Sequence, residues 1–302
     1  MRILLTGATG FLGLELSKRL TIQGHVIFGL VRENTSPQKR QILKTMNVRI
    51  LEIDLSDQDL IEHFLDVESI DVVIHAATNY GRNRGSLGEI FNCNLVLPLY
   101  LIKAASKRSL VFVNADSFFN KSENVYTPLI DYSLSKRALL DWLVYFSESC
   151  LVVNMRIEHM YGERDNRAKF IPYVLNNLAG TEKLALSPGN QVRDFIHKSD
   201  VAEAFTLLLS RISMIEKRGL IEYQIGTGIG TTIKELVEQM KQITGSKTQL
   251  DFGAIPYAEK EVMYSVSDNG FAREMNWAPK VRLSEGLSNL IEKEFFAKSV
   301  LS

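Results

Sequence analysis

Cysteine is scarce: Cys93 and Cys150 are the only two in 302 residues. Two thiols make no disulfide framework, and both are read as buried thiols of a reducing compartment. The five histidines (His25, His63, His75, His159 and His197) include no pair four residues apart, which leaves no ready metal site. An excess of one charge is missing as well. Lys+Arg and Asp+Glu both number 35, so bulk charge draws the chain neither to nucleic acid nor to an anionic membrane. The small cluster of Lys39, Arg40 and Lys44 reads as a solvated helix face. No apolar run approaches the length of a membrane-spanning helix. Thr6-Gly7 interrupts the segment after Arg2 too early for a signal peptide. What remains, with 45% hydrophobic and 23% charged residues, is a globular chain with room for one large domain or two lobes, expected in the cytoplasm.

The informative stretch comes first. Ile3 to Leu5 is a short apolar run suited to a buried parallel strand. It breaks at Gly7, and apolar residues return at helical spacing at Phe11, Leu12, Leu16 and Leu20. Strand, glycine-rich turn and helix bring backbone N–H groups and a positive helix end to one point, which suits a pyrophosphate. Gly7 serves the sharp turn, Gly10 the approach of the ligand, and Gly13 the packing of helix on strand. A lone G-x-x-G-x-x-G is a weak signal; after a strand and before a helix it marks a dinucleotide site. Thr6-Gly-Ala-Thr-Gly-Phe-Leu-Gly13 resembles the extended branch of the short-chain dehydrogenase/reductase superfamily, the nucleotide-sugar epimerases, dehydratases and reductases. The resemblance implies an α/β fold, a Rossmann-type doubly wound parallel sheet with a smaller C-terminal substrate-binding lobe. It puts Gly7, Thr9, Gly10, Phe11, Leu12 and Gly13 on the cofactor. The cofactor domain is expected over 1–164 and 191–230, the nucleotide-sugar lobe over 165–190 and 231–302.

His25 to Val31 reads as the second strand, and its end selects the cofactor. An acid there hydrogen-bonds the ribose 2′-OH of NAD, while an arginine accommodates the 2′-phosphate of NADP. Val31 stands at the acid position and Arg32 follows, with Asn34, Thr35 and Ser36 as further donors, so NADP(H) is favoured over NAD(H). Val48 to Ile53 is the third strand. The resemblance implies that Asp54, with Leu55, meets the adenine ring. Asp71 to Ala77 is the fourth strand, whose small Ala76 and Ala77 leave room for a cofactor, and His75 is read as a wall residue. Asn79 to Gly88 is a polar loop near the site. Asn94 matches the Asn of the family's N-V-x-G-T helix, where it supports the active-site backbone.

Leu110 to Val113 is the fifth strand, followed by Asn114-Ala-Asp-Ser-Phe-Phe119. In the resembled family a hydroxyl here hydrogen-bonds the substrate oxygen undergoing redox change, and the alignment puts Ala115 at that position. Three readings stay open: Ser117 substitutes, the protein works without the hydroxyl, or the position is altered in this chain. Ser117 or a water is preferred. Asp116 sits where the dehydratase acid is, but Ser117 replaces the neighbouring Glu. Tyr132-Ser-Leu-Ser-Lys136 opens a long helix and puts Tyr and Lys a turn apart on one face. An ammonium beside a phenol favours the phenolate. Tyr132 is therefore assigned as general acid/base, with Lys136 as its electrostatic partner and ribose ligand.

Further on, Arg156 to Gly162 follows the family's R-x-x-N-x-Y-G with His159 in place of Asn. Lys169 and Phe170 begin a helix that is expected to flank the substrate nucleotide. Arg193, within Val192-Arg-Asp-Phe-Ile-His197, is implied to contact the substrate diphosphate. Ala258 stands where the family has a second arginine, with Lys260 as a partial replacement. Thr231 to Glu235 is a capping-box-like helix start. Taken together, these stretches look most like the CDP-abequose and CDP-paratose synthase type of nucleotide-sugar 4-ketoreductase, NADPH-dependent enzymes of bacterial surface polysaccharide synthesis. The expected partner is a nucleotide-sugar substrate, with a homodimer built on the Tyr132 helix. The alternatives are a 4-epimerase or 4,6-dehydratase with bound NAD, and a non-catalytic NADP-binding sensor.

Overall fold

The computed structural model describes residues 1–52, 58–82, 86–121, 126–180, 182–215 and 218–296. In chain order the elements are β1 (Arg2–Thr6), α1 (Phe11–Ile22), β2 (Val26–Leu30), α2 (Pro37–Thr45), β3 (Arg49–Leu51), α3 (Gln58–Val67) and β4 (Val72–His75). Next come α4 (Leu87–Phe91), a π-helical turn over Asn92–Val96, α5 (Leu97–Ser106), β5 (Val111–Ser117), α6 (Ile130–Ser147) and β6 (Leu151–Ile157). Then follow β7 (His159–Tyr161), α7 (Phe170–Leu178), β8 (Lys183–Leu186), β9 (Val192–His197), α8 (Lys198–Arg211), β10 (Gly219–Ile225) and β11 (Gly230–Thr232). The last are α9 (Ile233–Thr244), β12 (Gln249–Phe252), β13 (Tyr264–Ser265), α10 (Gly270–Glu274) and α11 (Leu283–Ile291).

Seven strands form one sheet in the order β10-β6-β5-β4-β1-β2-β3. The pairings from β3 through β6 are parallel. The chain steps outward from β1 to β3 and returns to β4 on the other side of β1. That reversal is the switch point of a doubly wound sheet, beyond whose carboxyl ends ligands bind. Parallel strands covered on both faces need near-continuous apolar runs, which Ile3-Leu4-Leu5 and Val72-Val73-Ile74 supply, all buried. Leu97, Leu101 and Ile102 of α5 and Leu139 and Leu143 of α6 join Leu4, Val73, Phe112 and Val152 of the sheet in one core. Each such side chain, fully buried, stabilises by about 1.5–3 kcal/mol. Cys150 belongs to this core, while Cys93 is only half-buried.

Two expectations need adjusting. The helical stretch Leu87–Ser106 is 20 residues long and reaches a mean hydropathy of 1.2 over an 18-residue window, longer and more apolar than any run read from the sequence. Leu97, Leu101, Ile102, Ala104 and Ala105 of that stretch are buried in the core, which accounts for its apolarity. The fifth strand also runs four residues further than expected, through Asn114 to Ser117.

The chain divides into two compact units. The first is Met1–Val125, Leu129–Ile157 and Ala202–Tyr223; the second is Tyr126–Pro128, Glu158–Val201 and Gln224–Ser302. In the second, β9 pairs antiparallel with β11 and parallel with β13 and β7. The second unit takes in 158–164, 191–201 and 224–230, all grouped with the cofactor domain in the sequence reading. Its core gathers Val174 and Leu175 of α7, Leu236, Val237 and Met240 of α9, and Leu287 and Leu290 of α11. Helix α9 opens on the capping box read from the sequence: the Glu235 amide donates to Thr232 Oγ1 at 3.1 Å, and the Thr232 amide donates to the Glu235 carboxylate at 2.8 Å.

Candidate active site

The turn between β1 and α1 is built to come close to a ligand. Gly7 has φ +68°, and a Cβ on it would lie 2.7 Å from the Ala77 amide nitrogen. A Cβ on Gly13 would lie 2.0 Å from the Gly7 carbonyl oxygen. Gly13 thus lets the first turn of α1 close onto the glycine loop. Gly10 is the N-cap of α1 and no side chain caps the helix, so the positive end of the helix faces the turn, as an anion site requires. Thr9, Gly10 and Phe11 line this turn, while the Leu12 side chain is 6% exposed and belongs to the core. Behind the turn, Thr6 Oγ1 accepts from the amides of Ala76 at 3.2 Å and Ala77 at 3.1 Å. Its own proton is then free to go to His75 Nδ1, 3.0 Å away. Burial holds the His75 pKa well below its ordinary value, so this wall residue is neutral. These residues fit the pyrophosphate of a dinucleotide. Asp54 and Leu55, expected at the adenine ring, lie outside the described residues.

At the end of β2, Val31 is buried and Arg32 is exposed. The Arg32 carbonyl accepts from the Thr35 amide at 2.9 Å, and Arg40 braces the same turn by donating to the carbonyls of Thr35 at 2.9 Å and Glu33 at 2.6 Å. Ser36, read as a further ligand donor, is the N-cap of α2 and accepts from the Lys39 amide at 3.4 Å.

Tyr132 and Lys136 sit in the first turns of α6, 3% and 2% exposed. Lys136 Nζ donates to the carbonyl of Ala115 at 2.9 Å, so the ammonium is turned to the end of β5. Ser117, two residues along the same face of that strand, hydrogen-bonds the Tyr132 hydroxyl. The spacing alone implied that Lys136 lowers the phenol's pKa. The opposite holds: burial first, then the neighbouring Tyr80, push Tyr132 well above its ordinary value, against the pull of Ser117. At neutral pH Tyr132 is a phenol that holds its proton. Burial lowers Lys136, and the Asp116 carboxylate works against that shift.

Asp116 points into a polar seam. Its carboxylate accepts from Asn120 Nδ2 at 2.8 Å and Asn154 Nδ2 at 3.1 Å. Asn154 also meets Asn114 at 2.8 Å and Glu222 at 3.1 Å, and Arg156 meets Glu222 at 2.5 Å. Burial raises the Asp116 pKa. Asn94, on the π-helical turn, is fully buried. Its Oδ1 accepts from the Asn79 amide at 2.8 Å and from Thr78 Oγ1 at 3.3 Å, and its Nδ2 donates to the Asn79 carbonyl at 2.9 Å and Ser135 Oγ at 3.0 Å. The polar loop read after β4 thereby brings Tyr80 over the phenol: the rings of Tyr80 and Tyr132 stack with centroids 4.6 Å apart. Tyr80 escaped the sequence reading, and its only local signal was to be the one aromatic in that loop.

In the second unit, His159 lies edge-on to Phe195 at 5.5 Å. Lys169 stands at the N-cap position of α7, where its side chain makes no cap, and pairs with Asp165 at 2.9 Å, and Phe170 packs against the core of this unit. Arg193 is buried and bonded to Glu261 at 2.7 Å. Burial lowers the arginine's pKa and raises the glutamate's. Lys260 is exposed on the turn just before, so its neighbour Glu261 is the residue that meets Arg193.

The model of the NAD dependent epimerase/dehydratase family matches residues 3–226. The CDP-abequose synthase of Salmonella muenchen is 31% identical over 294 residues, covering 96% of this chain and 97% of that enzyme. The dTDP-glucose 4,6-dehydratase of Streptomyces niveus is 26% identical, over 97% of this chain and 92% of its own. A UDP-glucose 4-epimerase from Stenotrophomonas maltophila, solved with NAD and a formylated UDP-arabinopyranose, superposes with a TM-score of 0.84 at 19% identity, covering both chains completely.

Proposed function

The chain belongs to the NAD dependent epimerase/dehydratase family, and on that premise we propose that it is an NADPH-dependent nucleotide-sugar 4-ketoreductase. The observation that carries this reading is the placement of Tyr132, buried in the first turn of α6 with its hydroxyl hydrogen-bonded to Ser117 at the end of β5. Reduction of a ketone needs a donor for the oxygen, and a phenol that keeps its proton at neutral pH is one. Bound at the glycine turn, the nicotinamide cofactor supplies the hydride. Tyr132 gives its proton to the C4 oxygen, Ser117 supports the resulting phenolate from two residues beyond Ala115, and Lys136 orients the end of β5 through the Ala115 carbonyl. Dehydration needs a second carboxylate, and Ser117 stands in its place.

The substrate is a CDP-4-keto-3,6-dideoxyhexose, a precursor of surface polysaccharide such as O-antigen. The likeness to CDP-abequose synthase along 96% of the chain supports this choice. The preference for NADPH rests on exposed Arg32 at the end of β2. In the second unit, Lys169, Phe170, Arg193 and Lys260 are the residues we assign to the nucleotide sugar, and His159 completes the cofactor set. We assign the protein to the cytoplasm, where free Cys93 and Cys150 stay reduced. We also assign it as a homodimer, because Leu134, Trp142 and Tyr145 leave an apolar stripe on α6 that is 42%, 45% and 63% exposed. Trp142→Arg is expected to turn a dimer into a monomer in sedimentation.

The deciding experiment is NADPH oxidation with a CDP-4-keto-3,6-dideoxyhexose. Turnover is expected, and Tyr132→Phe should lower it by roughly 100-fold or more. No turnover by the wild-type protein while NADPH still binds overturns the reading.

A further inference from the structure

We propose that Tyr80 is a proton relay of the reaction centre, its hydroxyl returning to Tyr132 the proton that Tyr132 gives to the substrate. The inference rests on the reductase reading. The two rings stack with centroids 4.6 Å apart and planes 28° from parallel, and their hydroxyls share a hydrogen bond. Tyr132 is 3% exposed, whereas Tyr80 is half-buried. A buried acid has to recover its proton after each turnover, and of the two stacked tyrosines Tyr80 is the less buried. Lys136 is as buried as Tyr132 and is committed to the Ala115 carbonyl.

The loop is shaped to hold Tyr80 there. Asn94 grips the residue before it through both the amide and the carbonyl of Asn79. The Asn79 side chain then accepts from the Gly81 amide at 3.0 Å, folding the chain around Tyr80. Gly81 takes φ +70°, and a Cβ on it would lie 2.8 Å from Ile90 Cδ1. The Arg82 guanidinium lies 5.6 Å from the centre of the Tyr80 ring. Asp116 and Ser117 from β5 act on Tyr132; Lys136 from α6 in turn acts on Asp116, on neutral His75 from β4, and on Cys93 of the π-helical turn, a thiol that burial keeps protonated.

The protons balance as follows. The C4 carbon accepts the hydride from the cofactor, and its oxygen takes the proton of Tyr132. The O–H bond of Tyr80 then breaks as its proton moves to the Tyr132 oxygen, and a solvent proton restores Tyr80. One hydride and one solvent proton enter the sugar, and both tyrosines end as phenols.

Tyr80→Phe tests the relay while keeping the ring and its stacking. In full-length protein carrying 3-fluorotyrosine, the Tyr132 fluorine resonance is identified by its loss in Tyr132→Phe. It is expected to move in Tyr80→Phe, which removes the hydroxyl that Tyr132 shares a hydrogen bond with. In turnover, Tyr80→Phe is expected to lower kcat by ~10-fold or more at unchanged KM, with recovery as imidazole buffer is raised. A Tyr132 resonance that is the same in both proteins overturns the relay, as does full kcat in Tyr80→Phe. If the wild-type protein reduces no 4-keto sugar yet the Tyr132 resonance still moves in Tyr80→Phe, the reductase reading fails and the proton-sharing pair stands.

Discussion

Asn94 Nδ2 donates to Ser135 Oγ at 3.0 Å, and that hydroxyl donates in turn to the backbone carbonyl of Tyr132 at 2.9 Å. A side chain on the π-helical turn therefore holds both the loop carrying Tyr80 and the helix carrying Tyr132. Insertions of this kind inside helices are frequent at functional sites. Asn94→Ala leaves buried groups without partners, at about 1–3 kcal/mol each. The urea midpoint is expected to fall and kcat to fall with it. A variant of wild-type stability and rate would show that the contact organises nothing.

The glycine turn tolerates no side chain at Gly13, where a Cβ would lie 2.0 Å from the Gly7 carbonyl oxygen. Gly13→Ala has to push the first turn of α1 off the loop. NADPH binding, read by its fluorescence, is expected to be lost while the circular dichroism of the chain stays helical.

The proposed preference for NADPH rests on Arg32. A charge-assisted hydrogen bond is worth about 1.5–3 kcal/mol. Arg32→Ala should therefore raise the KM for NADPH by roughly 10- to 150-fold on that figure and leave the KM for NADH nearly unchanged. Equal losses for both cofactors would remove Arg32 from the 2′-phosphate.

Glu163 makes the second unit sensitive to acid. Burial alone pushes its carboxyl up, but Lys293 at 2.6 Å and Lys198 at 3.3 Å prevail and hold it at about 2, below the ordinary 4.5. A carboxyl depressed in the folded state stabilises the fold above its unfolded value, and that contribution fades as pH falls through the folded value. The stability difference between wild type and Glu163→Gln is expected to be full at pH 6 and to shrink between about pH 4.5 and 2, measured by urea unfolding. A difference constant over that range would mean that the carboxylate is not depressed.

Much of this was legible because it is local. The run Ile3 to Leu5, the glycines and the helical spacing from Phe11 to Leu20 specify strand, turn and helix within one short stretch of chain, and Tyr132 and Lys136 share a helix face by spacing alone. The rest depends on partners far along the chain. Asn114 and Asp116 read as loop residues because polar groups in a buried strand need compensation, and theirs comes from Asn154, 40 and 38 residues away. Glu261 meets Arg193 across 68 residues, which no motif encodes. The spacing of Tyr132 and Lys136 gave the pair but carried nothing about burial or Tyr80, so the direction of the phenol's shift was missed.

The seam of Asn114, Asp116, Asn154, Arg156 and Glu222 has one more effect. In β5 and β6, Asn114 lies opposite Asn154 and Asp116 opposite Arg156. Side chains alternate along a strand, so a slip of one residue would turn both polar groups of β5 to the other face. Asp116 would then lose its amide donors, a cost of several kcal/mol for an unpaired buried charge. The seam works as a key for strand alignment: only the correct register closes it, and that register alone aims Ser117 at Tyr132.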